Sequence, residues 1–328
     1  MDVYLPILLL TVGFILLIKG ADFLVNGASS FAKRFHVSDL AIGLTVVAMG
    51  TSAPELVVNI ISGADGALDD VVFGNIIGSN IFNLFLILGI SSVIYPLTVQ
   101  RNALWKEIPY SLFITVIFFI LVNDVFFFEK ANNELTVSDA AILFVMFFIF
   151  LLYIFLNLKR HPEEIDGEDI VIFSSTKTAV MVVLGIAGLV FGGQMIIKNA
   201  VILASAWGMS KELIGLTILA AGTSLPELAT SAVAAFQKKS DLAVGNIIGS
   251  NVFNLLLVVG STVLVNGALS FNSLMNVDLG FVMVGTILLF IFMFTLNKYK
   301  LDRAEGFVYL MFFVVYNCYI FNVGGFRG

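Results

Sequence analysis

The sequence predicts an all-α polytopic membrane protein, with ten transmembrane helices arranged as two inverted five-helix repeats. Two observations lead to this fold class: the chain is too apolar for a water-soluble core, and its two halves match each other. Of its 328 residues, 59% are hydrophobic and only 12% are charged, about half the charged fraction of an ordinary soluble domain. Lipid rather than water must therefore surround much of the surface.

Composition also excludes several classes of function. The net charge of −6 is opposite in sign to the basic surface that nucleic-acid binding requires. The single cysteine, Cys318, cannot form an internal disulfide or a cysteine-rich metal site. The two histidines, His36 and His161, stand beside basic residues in predicted loops. We therefore expect no cofactor, no nucleic-acid partner and no evident protein partner, and a chain surrounded by the lipid bilayer.

Apolar runs of about 20 residues, the length that crosses a bilayer as a helix, recur along the whole chain. The first run lacks a basic segment before it and a small-residue cleavage site after it, so we interpret it as an uncleaved span. The ten predicted spans are residues 3–31, 38–64, 71–95, 104–123, 137–158, 178–205, 211–236, 242–266, 277–297 and 306–324.

The charges of the loops orient these spans. With the N-terminus outside, the outer segments hold only Lys130, Lys211 and Arg327. The cytoplasmic loops then hold Lys33, Arg34, Arg101, Lys106, Lys159, Arg160, Lys177, Lys238, Lys239, Lys298, Lys300 and Arg303. The protein is expected in the cell (plasma) membrane, and by the positive-inside rule both of its termini should lie outside the cell.

The longest polar stretch, residues 159–177, is interpreted as a cytoplasmic linker between two repeats. The first five-helix repeat then covers residues 1–158 and the second covers residues 178–328. Because five is odd, the second repeat must enter the membrane upside down relative to the first. Inverted repeats are typical of secondary transporters, whose ion sites lie at the repeat interface near the bilayer midplane.

The repeat is visible in two motifs. GLTVVAMGTSAPEL (43–56) matches GLTILAAGTSLPEL (215–228) at a shift of 172 residues. GNIIGSNIFNL (74–84) matches GNIIGSNVFNL (245–255) at a shift of 171, with ten of eleven letters identical. Shared Gly, Asn, Ser, Pro and Glu do not arise from hydropathy alone, so the chain contains a duplication.

The first motif places one glutamate per half, Glu55 and Glu227, inside an apolar span. A charged side chain at membrane depth costs roughly 2–3 kcal/mol on insertion scales, so both should face the protein interior, a cavity or a bound cation. The proline of each motif bends the helix. The bend should make carbonyl oxygens near Ala48 and Ala220 available as ligands.

A capping box is the simpler interpretation of the same letters. Ser52 with Glu55, and Ser224 with Glu227, fit the S-x-x-E pattern that satisfies the first turn of a helix. This interpretation explains the bend, but it does not explain why two charges stand symmetrically in a membrane.

The second motif adds polar side chains at helical spacing. Ser79 and Asn83 are four residues apart, as are Ser250 and Asn254, so each pair should share a helical face. The intervening Asn80 and Asn251 should point partly elsewhere. Both cation ligation and hydrogen bonding between helices fit these residues.

All of these candidate ligands are hard oxygen donors, without sulfur or imidazole. They indicate Na⁺, K⁺, Ca²⁺ or Mg²⁺ rather than zinc or copper, and facing glutamates with threonine oxygens favour Ca²⁺. With both glutamates ionised, an empty site would carry −2 in a low-dielectric region. We therefore expect the protein to change access only when cations occupy the site, which predicts obligatory exchange.

At these motifs the chain resembles the cation/calcium exchanger superfamily, and specifically the prokaryotic sodium/calcium exchanger family, over essentially its whole length. The resemblance implies that Ca²⁺ and Na⁺ are the transported substrates, typically three Na⁺ per Ca²⁺, and that the first and sixth helices slide past the rest. It implies Ca²⁺ ligation by Thr51, Glu55, Thr223 and Glu227. It implies that Na⁺ is held with the help of Ser52, Ser79, Asn83, Ser224, Ser250, Asn254 and the carbonyls of Ala48 and Ala220.

One departure from the family bears on the ions. Several family members carry Asp at one of the positions of Asn83 and Asn254, and in some branches that acid accompanies potassium coupling. Two asparagines weaken the case for K⁺ cotransport and leave the stoichiometry open.

Other functions remain as alternatives: a proton/calcium exchanger, a potassium-dependent sodium/calcium exchanger and, less favoured, a cation channel. A channel usually gathers its ligands by subunit symmetry around an axis. No His, Asp or Cys partners accompany the two glutamates, so we do not expect an enzyme.

Overall fold

The computed structural model describes residues 4–63, 69–101, 103–160, 172–208 and 220–324, and these are helical almost throughout. Within these described ranges, four stretches have π-helical hydrogen bonding: Gly43–Val47, Phe82–Ile87, Ala103–Glu107 and Asn254–Val258. The helices in chain order are α1 (Tyr4–Phe35), α2 (Asp39–Thr51), α3 (Ala53–Gly63), α4 (Asp69–Ile94), α5 (Ala103–Val122), α6 (Asp124–Phe128), α7 (Val137–Arg160), α8 (Ser175–Ala206), α9 (Ala220–Gly222), α10 (Leu225–Phe236), α11 (Ser240–Asn266), α12 (Ser273–Phe292) and α13 (Arg303–Gly324).

The helices confirm a multi-pass membrane protein. Among the described residues, seven are long and apolar enough to cross a bilayer, and the pair α2 and α3 makes an eighth if it is counted as one span. The predicted span 38–64 is therefore not straight, since α2 and α3 meet at an angle of 43°. Helices α10 and α13 lie where the two remaining spans were predicted, and the count of ten stays a prediction.

Several helix ends differ by a few residues from the predicted span boundaries. Helix α1 continues to Phe35 rather than 31, with Lys33 and Arg34 in its last turn, where cations favour the helix dipole. It stops where His36 takes a left-handed conformation, at φ 53°. Helix α7 runs to Arg160 and α8 begins at Ser175, so both helices extend into the stretch predicted as the linker, residues 159–177. Residues 161–171 of that linker lie outside the described residues.

Two short antiparallel strand pairs connect the halves outside the helices. Strand β1 (Leu97–Thr98) pairs with β4 (Lys300–Leu301), and β2 (Glu134–Leu135) pairs with β3 (Leu269–Ser270). Each pair takes one strand from each side of the predicted linker.

The degree of burial divides the helices into a centre and a periphery. In the most apolar 18-residue window, α11 is 83% buried and α4 is 67% buried, whereas α1, α7 and α8 are each only 28% buried. The second motifs therefore lie in the two most enclosed helices, and the long helices α1 and α8 lie at the periphery.

Glycines bring α1 and α8 into close contact along a seam. These two helices pack against each other more extensively than any other pair in the described parts of the chain. A Cβ atom added at Gly20 would lie 2.7 Å from the backbone nitrogen of Leu189, and one at Gly185 would lie 2.6 Å from that of Leu24. Small residues at such a crossing let two membrane helices approach backbone to backbone.

Candidate cation-binding site

The first motif interrupts a helix in each half, as predicted. In the first half, Ser52 leaves the helix between α2 and α3, with φ −80° and ψ 5°. In the second half, Ser224 does the same between α9 and α10, with φ −86° and ψ 5°. A proline follows in the first turn of α3 and of α10, where it has no N–H to donate to the preceding turn. The near-identical dihedral angles show that the two motifs bend the backbone in the same way.

The two glutamates stand in the first turns of α3 and α10, and both are enclosed by protein. Glu55 is 0% exposed and Glu227 is 1% exposed, so the prediction that they face the interior is confirmed. The N-terminal end of a helix favours a negative charge. The two carboxylates lie near each other, because each accepts a hydrogen bond from the serine that stands three residues before the other glutamate.

Each carboxylate is held by a serine from the opposite half. Ser52 Oγ donates to Glu227 Oε1 at 3.2 Å, and Ser224 Oγ donates to Glu55 Oε1 at 3.4 Å. The second oxygen, Oε2, of each glutamate is buried without a hydrogen-bond partner. Within the described residues, no basic side chain forms a salt bridge with either glutamate. Two buried carboxylates without a basic partner are costly when ionised, and a bound cation would offset that cost.

The capping-box interpretation is wrong for the second half. Ser224 occupies the N-cap position of α10, yet its side chain makes no capping hydrogen bond. Its hydroxyl instead lies within hydrogen-bond distance of Glu55 and of Ser79. The Ser224 side chain therefore connects the two halves of the protein and does not cap its own helix.

The second motif supplies four more buried side chains: Ser79, Asn83, Ser250 and Asn254 are each at most 1% exposed. Asn83 lies inside the π-helical stretch of α4, and Asn254 begins the corresponding stretch of α11. The Oδ1 atoms of both asparagines are buried without a hydrogen-bond partner. π-Helical turns are frequent at functional sites.

The threonines face the opposite half as well. Thr51 Oγ1 lies 3.1 Å from Asn246 Oδ1, and Thr223 donates to Asn75 Oδ1 at 3.2 Å. An amide oxygen can only accept, so each hydroxyl hydrogen can be engaged there while its lone pairs stay available to a cation. Thr51 Oγ1 is also 3.4 Å from Ser250 Oγ.

The two predicted backbone ligands are placed differently. The carbonyl oxygen of Ala48 accepts the N–H of Ser52 at 2.9 Å and lies 3.2 Å from Thr51 Oγ1, so a cation bound there would use the second lone pair while Thr51 donates to Asn246. For Ala220 the structure describes the backbone alone, as the first residue of α9.

Several asparagines at the centre of the site were not selected as candidates from the sequence. Asn80 and Asn251 accept hydrogen bonds from the side chains of Asn254 and Asn83, each at 3.0 Å. They stand between the predicted Ser and Asn of each second motif, and we expected them to point partly elsewhere. The shared GN and SN letters of the repeat were the signal that could have identified them and their neighbours, Asn75 and Asn246.

The donor set is one of oxygens around two charges. Among the described residues no group of three or more His, Cys, Asp and Glu comes together, so neutral hydroxyl, amide and carbonyl oxygens must complete any coordination. Hard cations such as Na⁺ and Ca²⁺ prefer such a set. The fold and the site together define a multi-pass membrane protein with a buried cluster of two carboxylates and neutral oxygens, a donor set suited to hard cations.

Comparison with known proteins identifies the family. The family model described as sodium/calcium exchanger protein matches residues 5–156 and 177–322. The chain belongs to this family, which consists of transporters and not of enzymes, and the resemblance seen in the motifs is confirmed.

Relatives match along nearly the whole chain. The putative antiporter CaxA of Alkalimonas amylolytica is 37% identical over 319 residues, which is 95% of this chain and 97% of the relative. The sodium/calcium exchanger MaX1 of Methanosarcina acetivorans is 30% identical over 96% of this chain and 98% of its own. A solved structure of the sodium-calcium exchanger NCX_Mj, soaked with zero Na⁺ and Ca²⁺, has a TM-score of 0.81 and 28% identity, covering 97% of this chain and 99% of its own.

Proposed function

We propose that this protein is a sodium/calcium antiporter, which exchanges Na⁺ for Ca²⁺ by alternating access at a site near the bilayer midplane. One observation carries the proposal. Two buried carboxylates, contributed by opposite halves, lie near each other, and each keeps one oxygen without a partner in the protein. A cation of charge +2, or several of charge +1, neutralises this pair.

Calcium would be held by Thr51, Glu55, Thr223 and Glu227. Ca²⁺ takes about six to eight oxygen ligands in flexible geometry, and two carboxylates can each supply two of them. The serine bonds to the Oε1 atoms orient the carboxylates so that both Oε2 atoms stay available. The relatives named as sodium/calcium exchangers support the choice of this ion.

Sodium would be held by the remaining oxygens. The ligands we propose are Ser52, Ser79, Asn83, Ser224, Ser250, Asn254 and the carbonyls of Ala48 and Ala220. The unpartnered Oδ1 atoms of the two asparagines support this assignment. Three Na⁺ per Ca²⁺ is the stoichiometry that the family resemblance implies.

Exchange follows from the charge of the site. Without cations the ionised pair carries −2 inside protein and lipid, so the transition between the two access states is strongly unfavourable. Occupied by one Ca²⁺ or by several Na⁺, the site no longer opposes the transition. The protein then moves Ca²⁺ one way only when Na⁺ moves the other way.

The architecture that we propose has ten spans in two inverted repeats, residues 1–158 and 178–328, with both termini outside the plasma membrane. The loop charges and the odd number of spans per repeat support this arrangement. We further propose that α1 and α8 slide together past the other helices, since these two peripheral helices share the glycine seam.

The test is ⁴⁵Ca²⁺ uptake into liposomes that contain purified protein and are preloaded with Na⁺, with K⁺ or at low pH. Uptake should require internal Na⁺. Uptake driven by the pH gradient alone would indicate a proton/calcium exchanger, a requirement for K⁺ together with Na⁺ would indicate potassium coupling, and flux without any counter-ion would indicate a channel.

A matched pair of variants tests the site itself. Glu55→Gln removes one charge and should lower exchange by at least about 30-fold, which corresponds to about 2 kcal/mol for one member of a buried charge pair. Glu107 provides the control, because it is also a buried glutamate, 5% exposed, but it accepts a hydrogen bond from Tyr153 on α7. Exchange that survives Glu55→Gln as well as Glu107→Gln would refute the proposal.

A further inference from the structure

The orientation of one asparagine amide is fixed by a backbone carbonyl. Asn80, on α4, donates its Nδ2 hydrogen to the main-chain oxygen of Asn251, on α11, at 3.3 Å. A main-chain carbonyl can only accept, so the amino group of the Asn80 side chain must point toward it. The Oδ1 atom of Asn80 must consequently point the other way.

That oxygen determines the orientation of a second amide. Asn254 donates its Nδ2 hydrogen to Asn80 Oδ1 at 3.0 Å. If the Asn254 amide were reversed, two acceptor oxygens would face each other. The amino group of Asn254 is therefore held toward Asn80, and its Oδ1 atom is left buried and without a partner.

The unpartnered oxygen of Asn254 lies in the part of the molecule that carries the acids. The π-helical stretch that begins at Asn254 packs against α3, the helix of Glu55. A cation is attracted by an amide oxygen and repelled by an amide N–H, so the orientation of this amide decides whether Asn254 can act as a ligand.

The corresponding pair in the other half has no such anchor. Asn83 donates its Nδ2 hydrogen to Asn251 Oδ1 at 3.0 Å, but Asn251 Nδ2 has no hydrogen-bond partner. Nothing among the described residues then opposes a joint reversal of the Asn83 and Asn251 amides. The duplicated motifs are alike in sequence, yet only one of them fixes its amides from the backbone.

We infer that Asn80 is a positioning residue for sodium binding: it holds the carboxamide of Asn254 with its carbonyl oxygen toward the ion site. The inference rests on the proposed function, in which Asn254 is a sodium ligand. It assigns Asn80 a role through Asn254 alone, since both ends of the Asn80 amide are occupied by protein.

The test compares Asn80→Leu in three backgrounds. Leu has the same number and branching of side-chain heavy atoms as Asn, but it is larger and neither accepts nor donates a hydrogen bond. In the otherwise unaltered protein, Asn80→Leu should weaken apparent Na⁺ affinity by about tenfold or more, the usual effect of losing a group that orients a metal ligand. In an Asn254→Asp background the effect should disappear, because both oxygens of a carboxylate are equivalent and no orientation is needed.

The third background is the matched control. In Asn83→Asp the substituted residue is the hydrogen-bond partner of Asn251 and not of Asn80, so Asn80→Leu should cost the same tenfold as in the unaltered protein. Apparent Na⁺ affinity is read from the Na⁺ dependence of the melting temperature, so variants without turnover still report binding. Asn80→Ala removes the same two hydrogen bonds and replaces Asn80→Leu if that variant does not fold.

Failure of the role inferred for Asn80 and failure of the proposed antiport give different results. A tenfold loss that is equal in all three backgrounds means that Asn80 only supports the fold, and it overturns the inference, as does an unchanged affinity in Asn80→Leu. Failure of the proposed function looks different, because the unaltered protein would then show no sodium-dependent ⁴⁵Ca²⁺ exchange.

Discussion

The close approach of α1 and α8 can be tested with two adjacent glycines of α8. A Cβ atom added at Gly192 would lie 2.7 Å from the backbone nitrogen of Leu17 and 2.9 Å from the carbonyl oxygen of Gly13. Because both are backbone atoms, no side chain can turn aside. The helices would have to separate by about 0.7 Å to restore an ordinary contact of 3.4 Å.

The neighbouring Gly193 provides the control. A Cβ atom there meets only the ring of Pro226, at the ordinary van der Waals distance of 3.9 Å. Both substitutions to Ala gain the same helix propensity, about 1 kcal/mol, so this term cancels between them. The steric term remains, and overpacking typically costs about 1–3 kcal/mol.

We therefore expect Gly192→Ala to be less stable than Gly193→Ala by about 1–3 kcal/mol, with sodium-dependent calcium exchange slowed in the first variant only. Thermal unfolding of the two purified proteins, measured side by side, gives the first quantity, and ⁴⁵Ca²⁺ uptake gives the second. Equal stability of the two variants would mean that α1 and α8 are not in backbone contact at this seam.

Three further predictions each concern a single residue. Ser224→Ala removes the bond to Glu55 Oε1 and should weaken Ca²⁺ affinity by about tenfold, for about 1.5 kcal/mol at a charged acceptor; an unchanged affinity would show that the bond is not formed. Burial lowers the pKa of Lys239, which lies between α10 and α11, below its ordinary 10.5. The unfolded chain therefore holds this proton more tightly, so stability should rise as the pH increases through the folded-state pKa, and Lys239→Gln should flatten that rise in melting curves. Tyr309→Phe leaves the buried carbonyl of Gly285 without its 2.8 Å hydrogen bond and should cost about 1 kcal/mol of unfolding free energy, with exchange unchanged.

The sequence was sufficient for features that depend on letters within one motif. The break at Ser52 and Ser224 follows from the proline of each motif, and the burial of Glu55 and Glu227 follows from the cost of a charge in lipid. The coarse fold follows from the apolar runs. The effects of a proline, of a charge in lipid and of an apolar run depend on the nearby sequence, so they can be predicted without knowing how the rest of the chain packs.

The sequence could not supply the contacts that side chains of one half make with side chains of the other half. Spacing made Ser224 a candidate cap for its own helix, but its hydroxyl crosses to Glu55 because that acid is buried beside it. The π-helical stretches at Phe82–Ile87 and Asn254–Val258 add a residue to the turn, which changes the directions of neighbouring side chains relative to regular helix spacing. Asn83 and Asn254 lie in these stretches and donate to Asn251 and Asn80 of the opposite half, so that Asn80 and Asn251, expected to point partly elsewhere, belong to the site.

The positions of the ligands also bear on how access could change. The polar network lies on the elements around α4 and α11, the two most buried helices, whereas α1 and α8 carry none of the proposed ligands. Their mutual contact runs along the glycine seam and includes a buried side-chain hydrogen bond between Ser30 and Thr178 at 3.0 Å, so the two helices are joined to each other. If α1 and α8 move as one body, access can alternate while the crossed serine and asparagine bonds stay intact. The site would then keep its ligands and its charge in both states, as exchange of one set of cations for another requires.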